Sequence, residues 1–292
     1  MNAPYPFPQN VPAPSLRQPI LFVGHGSPMN AIMDTPFKDE WQRIGGFFGE
    51  GKRWAQPRLI LCISAHWCTE GTALTAMSAP KTIHDFGGFP KALFEQQYDV
   101  LGDPEAAKAL SLRFHQASRP LALALDEEHW GLDHGTWSVL KPMFPQGDIP
   151  VIQLSLDVHA TLEQHMALGA QLNALRDEGV LIVASGNTVH NLGAMQRHVP
   201  DTQAYEWTAE FDQWVAQKMI ERDASALCMQ GADAHTLKLF RMAHPSIDHY
   251  LPLLYALAAS QEEDHMSFFN DQYQYASVSM RSSLWDAPSA QV

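Results

Sequence analysis

PILFVGHGSP, residues 19–28, is an apolar run that stops abruptly at Gly24-His25-Gly26. Residues 20–23 are all large and apolar with no polar alternation, so a strand here has both faces covered, as in a parallel sheet packed between helices. Short runs of the same kind lie at 58–64, 72–77, 121–125, 149–156 and 180–184, each bounded by Gly, Pro or polar residues. Helical segments lie between them. Pro104 stands in a first turn after Asp103 as cap, opening a helix over 104–117. Thr161-Leu-Glu-Gln164 is a capping box that opens a helix to about Glu178, with Gly179 as its stop. Segment 205–227 is a long amphipathic helix with Trp207, Phe211 and Trp214 turned to the core, and 250–259 is an apolar helix that accommodates Pro252 only in its first turn. Strands alternating with helices predict an α/β fold, a single domain over 19–292 with a largely parallel central sheet flanked by helices. Residues 1–18 read as a proline-rich N-terminal arm, and 266–285 alternates enough to add one or two strands.

Composition narrows the function. The net charge is −13, from 19 Lys plus Arg against 32 Asp plus Glu, with no basic run, which argues against nucleic acid and anionic membrane surfaces as partners. The three cysteines, Cys62, Cys68 and Cys228, form no CxxC pair and no disulfide framework, as expected in a reducing compartment. No apolar run approaches the length of a membrane span, and the N-terminus lacks the basic-then-apolar pattern of a signal peptide. The expectation is a soluble cytoplasmic protein.

The 14 histidines carry the chemistry. His25 lies just past the strand at 19–23, His66 just past the strand at 58–64, and His190 six residues beyond the strand at 180–184. Ligands of open α/β sheets bind outside the carboxyl ends of the strands, so these three can converge there. His249, at the start of the apolar helix, and His134, between Asp133 and Gly135, can join them. His115, His159, His165, His198 and His235 read as solvated helix or loop residues, and Cys62 and Cys68 as a core cysteine and an incidental one rather than thiolate ligands. Neutral imidazoles suit Zn, Fe, Cu or Ni. A site without thiolate and with open positions leans to catalysis, and a further histidine near the metal can move protons around neutral pH.

The set GHGSP (24–28), SAHW (64–67), IHDFGGFP (83–90), LDHGTW (132–137), SGNTVHNL (185–192) and DHYLPLLYALAA (248–259) resembles the class III extradiol ring-cleaving dioxygenases, most closely the 4,5-DOPA dioxygenase branch. The motifs run in the family's order across nearly the whole chain. The resemblance implies a non-haem Fe(II), with Zn(II) able to occupy the same donors, held by His25, His66 and the late ligand His249, beside which Asp248 is a competing donor. It implies His190 as acid–base histidine or fourth ligand, His134 as proton donor or orienting group, and His84 and Asp85 on the substrate-binding wall. The implied reaction inserts O2 into a catechol to give a ring-opened semialdehyde, in a monomer or a homodimer.

Two other enzyme classes compete. GHGS after an N-terminal strand also resembles tetrapyrrole metal chelatases, which leaves SAHW, HNL and DHYLPLL unexplained. A zinc hydrolase could use the same ligands to activate water. A third reading is a non-catalytic binding protein that kept the cleft.

Overall fold

The computed structural model describes residues 17–117 and 122–287. Both faces of its first strand are buried, and the reason is visible in the alternation of contacts. Ile20 and Phe22 pack on one side with Leu59, Leu61, Ile63, Val180 and Ile182. Leu21 and Val23 pack on the other with Ile60, Cys62, Leu181 and Val183. Each face needs a layer of helices, because apolar surface on a sheet is stable only when covered.

The elements follow in chain order. They are β1 (Ile20–Gly24), α1 (Pro36–Gly45), β2 (Leu59–Thr69), β3 (Thr72–Thr75), α2 (Lys91–Phe94), α3 (Pro104–His115), β4 (Leu123–Asp126), α4 (His134–Met143) and β5 (Val151–Asp157). Then come α5 (Leu162–Leu172), β6 (Val180–Gly186), α6 (Glu206–Ile220), α7 (Ala224–Leu227), α8 (Ala234–Ala243), α9 (Leu251–Ala259), β7 (His265–Phe269), β8 (Tyr273–Gln274), β9 (Val278–Ser279) and β10 (Ser282–Asp286). The main sheet has the order β4-β3-β5-β2-β6-β1-β10-β7. Its centre, β5-β2-β6-β1, is parallel, whereas β3 against β5, β10 against β1 and β7 against β10 are antiparallel. The chain is thus a single α/β domain on a mostly parallel sheet. Side chains of α3, α5, α6 and α9 join the core on one face, and those of α1 and α4 the core on the other. Among the described residues no helix is long and apolar enough to cross a membrane.

The expected elements are present with four adjustments. The helix opened by the Thr161 capping box ends at Leu172 and continues as a tight 3-10 turn to Glu178, where Gly179 takes a φ of 84°. Segment 205–227 breaks into α6 and α7, because Arg222 enters the left-handed region at φ 53° and Asp223 caps a new turn. Phe211 is fully buried there, and Trp207 and Trp214 pack partly buried against the same core. The tail forms four short strands: β7 and β10 extend the main sheet, and β8–β9 make a separate hairpin. His165 is buried at 1% exposure rather than solvated, because it lies on the face of α5 that meets α9, with Nδ1 2.9 Å from the Tyr255 hydroxyl. The proline-rich arm, up to residue 16, and Leu121 of the expected fourth strand lie outside the described residues.

One ion pair ties the start of the sheet together. Arg176 meets Asp264 through two contacts of 2.6 and 3.0 Å and donates from Nε to the Gln18 carbonyl at 2.9 Å, with both side chains no more than 1% exposed. Removing one buried partner strands the other charge. Arg176→Met should therefore lower unfolding free energy in urea by about 3–5 kcal/mol, and pairing it with Asp264→Leu should recover most of the loss.

Candidate active site

Three adjacent strands deliver the first residues. His25 follows β1 directly and is fully buried. Its backbone N–H donates to the Gly186 carbonyl at the end of β6, 3.2 Å away. His66 lies in an irregular stretch of β2. Pairing with β6 stops at Ser64, and on the other side Ile63 faces Leu154 while Cys68 faces Leu156, so five steps on β2 oppose two on β5. The looped-out residues turn His66 towards His25, a common use of a bulge. His190 follows β6, held by its N–H to the Ala243 carbonyl at 3.0 Å and by a bridge to Val278.

Two helices from opposite faces supply the rest. His134 opens α4, capped by Asp133, whose carboxylate accepts from the Thr136 N–H at 3.1 Å. His249 precedes α9, and its carbonyl accepts from the Asn187 N–H at 2.8 Å. The fit is close. A Cβ on Gly135 would lie 2.5 Å from Ser64 Oγ and 2.9 Å from His66 Cδ2, and one on Gly186 would lie 2.3 Å from the His249 carbonyl oxygen.

The five rings meet. The His25 and His66 centroids are 5.0 Å apart, those of His66 and His134 3.8 Å, and those of His25 and His249 5.2 Å. His190 stacks on His249 at 3.5 Å, nearly parallel. Donor atoms of His25, His66 and His134 all lie within 4.8 Å of one another. His25 Nε2 and His66 Nε2 face each other at 3.1 Å.

The partners fix the tautomers. Ser185 donates its hydroxyl to the Gly135 carbonyl, so its oxygen can only accept from His25 Nδ1, 3.0 Å away. His66 Nδ1 and His134 Nδ1 lie 3.2 and 2.9 Å from Asp85 Oδ2. His249 Nδ1 donates to Asp248. Hydrogen bonds thus hold the proton on Nδ1 in His25 and His249, and the nearby Asp85 carboxylate favours the same tautomer in His66 and His134 through its charge. The Nε2 lone pairs of His25 and His66 point at each other, and His249 Nε2 is buried with no hydrogen-bond partner. Burial, followed by the neighbouring histidines, pushes His25 and His249 well below the ordinary imidazole value. Burial takes His66 to about 3 and His190 to about 4. Neutral imidazoles with converging lone pairs, each backed by an oxygen on the far nitrogen, are a donor set that suits a divalent metal.

Below the rings Asp133 is fully buried. Burial raises its carboxyl, and it accepts from Ser64 Oγ and Gln153 Nε2, both at 2.6 Å. Beside them stands an aromatic wall. Phe86 meets the His134 ring edge-on at 5.4 Å, and His84 lies 5.7 Å from both Phe86 and Trp137. His84 Nε2 is 2.9 Å from the Gln96 carbonyl, and Asp85 is turned to His66 and His134. Sequence reasoning did not single out Ser64, Asp133, Gln153 or Ser185. Only Asp133, as a helix cap beside His134, had a readable signal.

Comparison with known proteins settles the family. Residues 19–283 match the family described as the catalytic LigB subunit of aromatic ring-opening dioxygenase. The chain belongs to the LigB family. A relative named 4,5-DOPA dioxygenase extradiol, from Escherichia coli (strain K12), is 40% identical over 275 residues, covering 92% of this chain and 94% of its own. One of the same name from Beta vulgaris is 32% identical over 86% of this chain and 90% of its own. A crystal structure of an uncharacterised Escherichia coli K12 protein superposes with a TM-score of 0.74 at 34% identity, covering 92% of this chain and 99% of that one. This LigB-family chain is an extradiol ring-opening dioxygenase, and these likenesses favour that chemistry over the hydrolase and chelatase readings.

The buried rings make stability depend on pH. Their folded-state values lie below the ~6.5 of a free imidazole, so below pH ~6.5 the unfolded chain binds more protons and stability falls. His66, and His244 buried against the Thr188 carbonyl at 2.9 Å, are both pushed to about 3, and His190 to about 4; they share this direction with His25, His165 and His249. Metal-free protein should lose stability steadily from pH ~6.5 towards ~4 and take up several protons on unfolding at pH ~5, measured by calorimetry in buffers of differing ionisation heat.

Proposed function

We propose that the chain holds one non-haem Fe(II) on His25, His66 and His249 and cleaves the ring of an L-DOPA-like catechol beside its hydroxyl pair. The observation that carries this reading is the set of Nδ1 partners, Ser185, Asp85 and Asp248, which leave three Nε2 lone pairs directed inward. His134 lies within the same donor distance of His25 and His66. His249 is the better third ligand because its Nε2 is buried without any partner. Zn(II) fits the same donors, so the choice of iron rests on the oxygen chemistry of the family. When bound, the metal supplies a Lewis acid for the two catechol oxygens and a redox path to O2.

The chain's own groups do the rest. His190, neutral because it is buried, accepts the proton of a catechol hydroxyl, and its stacking on His249 keeps it beside the metal. His134, with its Nε2 lone pair free and Asp85 beside Nδ1, accepts the second catechol proton at Nε2 and returns it to the substrate oxygen as the ring opens. Phe86, with His84 and Trp137 behind it, forms the wall against which the aromatic ring lies and keeps water out. The relatives' printed names support DOPA as the substrate class.

The test is oxygen uptake. Protein purified without air and loaded with Fe(II) should consume O2 with L-DOPA and form a yellow ring-opened product, whereas a zinc-loaded sample should do neither. No uptake with any catechol despite bound iron would contradict the reading. His25→Ala should lose the metal. His190→Ala should keep it and lose roughly 10²–10⁴-fold in turnover, checked by metal analysis beside the oxygen electrode.

A further inference from the structure

We propose that Asp85 is a positioning residue that orients His66 and His134 from a single carboxylate, so that metal holding and proton return depend on one side chain. The proposal rests on the reading of the site given above. Asp85 Oδ2 lies 3.2 Å from His66 Nδ1 and 2.9 Å from His134 Nδ1, and Oδ1 accepts from the His134 backbone N–H at 2.9 Å. The two rings it serves are 3.8 Å apart at an angle of 47°. One negative group opposite both Nδ1 atoms favours the proton on Nδ1 in each ring and the lone pair on Nε2, the atom through which His66 would hold a metal and His134 would take up and return a proton.

Neither ring has another side-chain partner that does this. His66 sits in the bulge of β2, outside the ladder pairs, with its backbone N–H on Ser64 Oγ at 3.2 Å. Its Nε2 faces His25. The carboxylate itself is well placed to act. Its side chain is 17% exposed although its segment forms no long element. The segment is docked through the two residues just before Asp85. Ile83 N donates to the Leu132 carbonyl at 2.8 Å, the Trp137 indole donates to the Ile83 carbonyl at 2.8 Å, and His84 Nε2 meets the Gln96 carbonyl at 2.9 Å.

Asp85→Asn keeps the size and one acceptor oxygen but removes the charge. Co(II) titrated into metal-free protein, followed by calorimetry and visible absorbance, reads the His66 arm. Oxygen uptake by Fe(II)-saturated protein with L-DOPA reads the His134 arm. Asp85→Asn should bind Co(II) about 10–100-fold more weakly, with an altered visible spectrum. It should also lose at least tenfold in kcat at saturating metal. In a His134→Ala background the same substitution should still weaken Co(II) binding but no longer lower kcat further, because the ring it orients is gone. Asp85→Glu should recover part of both losses. Co(II) affinity within twofold of the parent, together with a lowered thermal midpoint of the metal-free protein, would reduce Asp85 to a cap on α4 and overturn the proposal. Failure of the unsubstituted protein to bind Co(II) would overturn the metal reading itself, and this proposal with it.

Discussion

Two neutral imidazoles face each other across 3.1 Å with a lone pair on each Nε2, and the carboxyl-terminal edge of the sheet is built around that contact. Ser185 forces the proton of His25 to Nδ1, and Asp85 does the same for His66. Facing lone pairs repel, and a cation between them converts the repulsion into two bonds. The arrangement is therefore costly for the metal-free chain and favourable once a metal is bound. That cost is borne by a sheet whose two cores lock β1, β2 and β6 in register.

The same constraint explains why helices from both faces reach one point. α4 and α9 pack on opposite sides of the sheet, yet His134 and His249 lie at their starts, beside the ends of β2 and β6. Such convergence needs backbone to come very close to side chain. Gly135 leaves room for His66 and Ser64, and Gly186 for the carbonyl of His249. A methyl group at Gly135 would displace Ser64 or the His66 ring, and one at Gly186 the backbone that carries His249, so both positions require glycine.

Much of this is legible in residues 19–28, because an apolar run ending in Gly-His-Gly fixes both a doubly covered strand and a side chain at its end. His249 is readable for the same reason, as a polar residue at the start of an apolar element, and His190 as the histidine in the turn that follows another apolar strand. His66 is only half readable: its nearness to a strand end is clear, but the bulge that turns it inward depends on unequal pairing with β5, which no local pattern encodes. His165 looks solvated in sequence and is buried, because the partner that covers it, Tyr255, is 90 residues away. Asp85 reads as pocket wall, and its contact with two imidazoles emerges only from the docking of its segment on Leu132 and Trp137. Capping residues such as Asp103 and Thr161 act locally and are therefore visible, whereas shared partners joined across the fold are not.

The most direct measurement is anomalous diffraction from crystals grown without air and loaded with Fe(II), collected at the iron edge. One strong peak should lie within about 2.0–2.3 Å of the Nε2 atoms of His25, His66 and His249, with His190 and His134 beside it. A peak held by His134 in place of His249 would contradict the assignment of the third ligand, and iron bound away from His25 and His66 would contradict the account as a whole.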